Sequence, residues 1–213
     1  MGMRRYLAKR LVHSLFVVFF VATVVFAAVR SIPGDPARLM LGGDADPEAL
    51  AALQAELGLN EPVYVQYFRW LGRILSGDLG DSIRTGQSVL ELLLDVAEPT
   101  LSIAGLGMAI ALVIAIPTGI ISAVKRYEIE DYLSTLVAFF GISMPSFWIG
   151  IVLILVVGVN VEFLPTFGYT SIEEGVVPWL QSILLPSIAV GVPYGGILMR
   201  MMRSSMLEVL NQD

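Results

Sequence analysis

Four stretches of this sequence are too long and too apolar to serve as the core of a small soluble domain. The first, "LVHSLFVVFFVATVVFAAV" at 11–29, would extend roughly 28 Å as a helix, close to the hydrocarbon thickness of a bilayer. Three more follow at 101–124, 132–160 and 179–199. Hydrophobic residues make up 56% of the chain and charged ones only 15%, where a soluble domain carries about a quarter. In lipid, a helix satisfies its own backbone polar groups, so runs of this kind predict an all-α, polytopic membrane protein.

Basic clusters orient the runs. Arg4, Arg5, Lys9 and Arg10 precede the first, Lys125 and Arg126 sit in the short loop after the second, and Arg200 and Arg203 follow the fourth. The positive-inside rule then puts the N-terminus and the Asp213 end in the cytoplasm. The first run exceeds the usual apolar length of a cleaved signal peptide, which favours a retained anchor. The expected organisation is an anchor at 1–30, a small extracytoplasmic segment at 31–99, and a core with three spans at 100–213. Within the extracytoplasmic segment, "IPGDP", "GGDADPEA" and "SGDLGDS" read as turns. "DPEALAALQAELGL" predicts a helix with Asp46 as N-cap and Pro47 in the first turn, and "EPVYVQYFRWLGRIL" predicts a second.

Several chemistries are excluded by what the chain lacks. It has no cysteine and one histidine, His13, so disulfides, thiolate nucleophiles and His-rich metal clusters are not expected. There is no Gly-x-Ser-x-Gly elbow, no phosphate-binding Gly-rich loop, and no carboxylate pair at the centre of a span. The chain is therefore not expected to be an enzyme, and no cofactor or metal is called for. A formal charge of -6 argues against a nucleic-acid partner.

Transport leaves a different trace, because irregular backbone at membrane depth is tolerated only where it faces protein or water. "GISMPSFWIG" places Ser143, Pro145 and Ser146 in the middle of the third run, where a kink or break is expected. "LLPSIAVGVPYGGILM" places Pro186, Gly191, Pro193 and Gly195 in the fourth, which is also expected to be interrupted. These seven residues are the candidate translocation path. The competing reading is plain helix packing, which small residues also favour. A scaffold protein is the alternative class; it would not need two adjacent helices rich in Pro and Gly. No ionisable residue stands at the centre of a span, so any pump built on this chain would draw its energy through another subunit.

The chain resembles the membrane subunit of binding-protein-dependent ABC importers, in the dipeptide, oligopeptide and nickel permease group. The likeness runs through "MRRYLAKRL", "IPGDPARLMLG", "LGLNEPVYVQYFRWLGRILSGDLGDSIRTGQSV", "DYLSTLVAFFGISMPSFWIGIVLIL" and "LPSIAVGVPYGGILMRMMRSSMLEVLNQD". It implies six membrane helices, about four of them within this sequence, and a chain that forms half of a translocation pathway. The implied partners are a second permease subunit, two ATP-binding subunits, an extracytoplasmic substrate-binding protein and the lipid bilayer.

The resemblance also implies that a cytoplasmic loop gripped by the ATPase, and two further spans, follow Asp213. Residues 1–213 would then be the first part of a longer permease and would not couple ATP hydrolysis by themselves. Arg200, Arg203, Met206 and Leu210 would form the approach to that loop. Met199, Met202, Met206 and Leu210 recur at spacings of three and four on one helical face. That stripe is expected to lack a partner within this sequence.

Overall fold

The computed structural model describes residues 2–42, 45–158, 160 and 163–210. The chain divides into two compact units, Met1–Leu93 and Leu94–Asp213.

The first unit is a long helix with a small helical cap. Helix α1 spans Met3–Ser31. Asp35 then caps a short helix that was not anticipated, α2 at Pro36–Leu41, by accepting a hydrogen bond from the Ala37 amide. The two predicted helices of this region form at α3, Pro47–Glu56, and α4, Val63–Leu75. Asp46 accepts from the Glu48 amide at the start of α3, with Pro47 in the first turn where its missing N–H costs nothing. Gly43 and Asp44 of the expected "GGDADPEA" turn lie outside the described residues. "SGDLGDS" does form a turn: Asp78 receives the Gly80 amide and Arg73, and an isolated antiparallel bridge joins Asp81 to Ser88.

The second unit is a helical core. Helix α5 spans Val89–Val124 and enters the unit from the first. It is followed by α6, Ile129–Ser143, α7, Ser146–Leu153, and α8, Val176–Leu210. A single π turn over Ile154–Gly158 extends α7, and a 3₁₀ turn at Ile172–Glu174 precedes α8. Among the described residues, α1, α5 and α8 are each long and apolar enough to cross a membrane. The α6–α7 pair passes the same test as one broken span, giving up to four.

The two proline-rich runs behave differently. Between α6 and α7 the chain bends by 96°. Met144 is extended there, with φ -92° and ψ 127°, because Pro145 crowds the preceding residue out of the helical region. In the fourth run the expected interruption does not occur. Helix α8 continues through Pro186 and Pro193 to Leu210. Its membrane window is half buried in the protein, against 22% for α5. Close packing from both sides holds the backbone helical where each proline removes a hydrogen bond.

Candidate functional site

The α6–α7 break lies beside α8. Gly141, one turn before the bend, is buried, and a Cβ there would sit 3.0 Å from the Val192 carbonyl oxygen. Ser143, Pro145 and Ser146 are all exposed at the bend. Beyond it, α7 returns along α8, with Gly150 facing Ala189. The π turn ends at Gly158, buried against Thr166 and Leu185. The break thus exposes Ser143, Pro145 and Ser146 beside the aromatic side chains of Phe140, Phe147 and Trp148, on a support of tightly packed helices.

The candidate residues of α8 fall into two environments. Gly191 and Gly195 are buried where α8 crosses α5. A Cβ on Gly191 would lie 2.7 Å from the Gly107 carbonyl oxygen, and one on Gly195 would lie 3.2 Å from Ile114. Facing them, Gly107, Ala111, Ala115 and Gly119 recur every four residues along α5 and are all buried. This is a small-residue seam that lets two membrane helices approach backbone to backbone. Gly196 does the same toward α6, where an added Cβ would lie 2.6 Å from the Ala138 carbonyl oxygen. Pro186 and Pro193 are half-buried. The sequence did not separate the two pairs, because how deeply each residue is buried depends on neighbours distant in the chain.

At one end of the seam stands a polar cluster that the sequence reading missed. Arg203 donates to both carboxylate oxygens of Asp131, from Nε at 3.0 Å and Nη2 at 2.8 Å. The same Nε reaches Ser122 Oγ at 2.8 Å, and Ser122 donates to Asp131. The Tyr127 amide supplies a further donor at 3.0 Å. Tyr127 holds a left-handed backbone at φ 68°, uncommon for a bulky residue, and this turns its N–H toward the carboxylate. Asp131 is 4% exposed and Ser122 is fully buried. The cluster therefore ties α5, α6 and α8 together by a bidentate, charge-assisted contact. The signals for it were faint: a serine among apolar residues at the end of a span, and an acid in the first turn of the next helix.

The four residues proposed as the approach to a following loop are also divided. Arg203 turns inward to Asp131, whereas Arg200 is exposed. Both line a half-open pocket of about 310 Å³ with Thr135 and Ser204. Met206 is half-buried and Leu210 exposed. The expectation of an unpartnered stripe is corrected over its first half. Met199 is 1% exposed in a cluster with Ala115 and Ala138, and Met202 lies against Gly119. The glycine leaves room on α5 for the methionine side chain, so α5 and α6 supply the partner.

A second polar cluster closes the opposite end of α5. Glu98 accepts from the Ser171 hydroxyl and from the Ile172 amide, both at 2.9 Å. Trp179 Nε1 donates to Ser102 Oγ at 3.1 Å, and Ser102 also meets the Tyr169 hydroxyl. The segment before α8 is pinned to α5 by these contacts. No group of three His, Cys, Asp or Glu able to hold a metal occurs among the described residues. His13 Nδ1 lies 2.6 Å from the Lys9 carbonyl oxygen, one turn back on its own helix.

Residues 3–104 match the family described as the N-terminal part of the binding-protein-dependent transport system membrane component. Residues 115–213 match the family described as the binding-protein-dependent transport system inner membrane component. A probable peptide ABC transporter permease protein, y4tP of Sinorhizobium fredii, is 38% identical over 98% of this chain and 66% of its own length. The dipeptide transport system permease protein DppB of Alkalihalophilus pseudofirmus is 34% identical over 99% of this chain and 69% of its own. The oligopeptide transport system permease protein AppB of Bacillus subtilis is 35% identical over 99% and 68%. The chain thus spans about two thirds of the length of these relatives.

Proposed function

The chain belongs to the family of binding-protein-dependent transport system inner membrane components, and from that premise we propose that it is a permease subunit of an ATP-driven importer. The solute class is peptides or similar small polar molecules, a reading supported by the names of the relatives it resembles. In this reading the chain supplies one half of the path and a second permease subunit the other. Two separate subunits hydrolyse ATP, and a binding protein outside the cell delivers the solute. The N-terminus and the Arg200–Arg203 end of α8 face the cytoplasm.

The observation that carries the proposal is the open break at Ser143, Pro145 and Ser146 beside α8. A bend of this size at membrane depth releases backbone groups, which must face protein or water. The half-buried Pro186 and Pro193 continue the path along α8, whereas Gly191 and Gly195 pack against α5 and fix how closely the two helices approach. Arg200, Arg203, Met206 and Leu210 lead toward the ATP-binding subunits. Movement of α8 would then be relayed to the break through the α6–α8 contacts at Gly141 and Gly196.

The sequence has no cysteine, so a single cysteine at Ser143 or Ser146 is the one thiol on this chain, and its labelling is read on the chain separated from its partners. In the assembled transporter, this labelling by a membrane-impermeant maleimide should change when ATP is added. Labelling that is identical with and without nucleotide would remove these residues from the path.

A further inference from the structure

Helix α4 presents a face that none of the other described residues of its unit covers. At about 100° per residue, its side chains sort into three sectors. Tyr67, Trp70 and Ile74 turn toward one side. There Tyr67 and Trp70 meet Phe26 of α1 at ring-centroid distances of 5.2 Å each, and the Tyr67 hydroxyl meets Thr23 Oγ1 at 2.7 Å. Arg69, Arg73 and Gln66 occupy a second sector, centred roughly 100° away. Gln66 holds the preceding loop by donating to the Leu59 and Glu61 carbonyls, and the arginines pair with Glu61 and Asp78. In the wider gap between these sectors lie Tyr64, Phe68 and Leu75, which are 66%, 66% and 80% exposed. The apolar arc, from Trp70 round to Phe68, is about 160° wide.

We infer that α4 is a membrane-interface helix, with Tyr64, Phe68 and Leu75 immersed in the lipid leaflet at the C-terminal end of α1. Two observations select lipid as the occupant. The first is depth. Phe26 and Thr23 stand five and eight residues before the end of α1 at Ser31, which places the contact roughly 7–12 Å below that end. Interfacial helices bury their apolar face to a similar depth, about 5–10 Å. The second is continuity. The membrane window of α1 has none of its residues buried within the protein, so the stripe on α4 adjoins a lipid-facing surface and extends it. The aromatic residues fit the same boundary, because Tyr and Trp concentrate at the headgroup level. Arg30, 6.0 Å from the Phe26 ring, stands one turn further out, where a cation reaches the headgroups.

The test uses spin labels on single cysteines at Tyr64, Phe68 and Leu75, with Arg69 and Arg73 as comparison sites, in the full chain reconstituted into liposomes. Collision with oxygen, which partitions into lipid, is compared with collision with a water-soluble nickel chelate. The expected result is a lipid-side depth parameter at 64, 68 and 75 and an aqueous one at 69 and 73. Chelate access at Phe68 and Leu75 equal to that at Arg69 would overturn the inference, because the stripe would then face water. Shielding of both sites from oxygen and chelate alike would also overturn it, in favour of a protein partner. Phe68 and Leu75 make the reading independent of whether Tyr64→Cys folds.

Discussion

Arg203 on α8 holds Asp131 on α6 by two parallel hydrogen bonds, at 2.8 and 3.0 Å, across 72 positions of sequence. The pair is asymmetric. The aspartate side chain is 5% exposed and the arginine 29%, so one partner depends on the other far more than the reverse. Ser122 of α5 completes the group, and three helices thereby meet at one carboxylate.

Removing the arginine should therefore strand a buried charge. Arg203→Gln is expected to destabilise the second unit by about 2–3 kcal/mol, below the usual cost of breaking a fully buried pair because Arg203 keeps some solvent. Asp131→Asn should cost less, because the Arg203 it leaves unpaired still reaches solvent, and the double variant should cost less than the sum of the two. Thermal unfolding of detergent-solubilised protein measures the cycle. Strict additivity would mean that the two residues do not act as a pair.

Gly196 offers a sharper steric test. A methyl group there would meet the Ala138 carbonyl oxygen at 2.6 Å, a backbone atom that cannot turn aside. Gly196→Ala should force α6 and α8 apart at a cost of about 1–3 kcal/mol. Gly105, which has nothing within 4 Å of an added Cβ, should accept alanine with little change. Equal melting temperatures for the two variants would contradict the seam.

The Asp78 turn carries a pH signature. The Arg73 side chain, then the Gly80 amide, hold the Asp78 carboxyl below its ordinary value of 3.8. A depressed folded value means that the contribution to stability is complete above the unfolded value and is lost as pH falls through the folded one. A carboxyl NMR titration should therefore show Asp78 protonating below pH 3.8, and Arg73→Gln should move the midpoint upward. An unmoved midpoint would mean that the contact does not persist in solution.

Glu98 should govern the order of the segment before α8. Glu98→Gln keeps the shape but halves the acceptor capacity that receives Ser171 and Ile172. Hydrogen exchange at the Ile172 amide should accelerate, with exchange in the middle of α8 unchanged. Equal acceleration along α8 would indicate general loosening instead.

The amino-acid sequence by itself determined the local half of this protein. Runs of apolar residues dictated helices long enough for a bilayer, Asp46 and Pro47 marked where α3 begins, and Pro145 marked the break after Ser143. Each rests on interactions between residues a few positions apart, which periodicity and backbone sterics expose directly. The tertiary structure decided the rest. Pro186 and Pro193 left α8 unbroken because its neighbours hold it, although Pro145 broke its own span. Gly191 and Gly195 became contact points with α5, and the upper part of the methionine stripe found its partner in Ala115, Ala138 and Gly119. Asp131 and Arg203 read as two ordinary charges near helix ends. Their pairing depends on which helices lie side by side, a long-range relation that the local pattern around either residue does not encode.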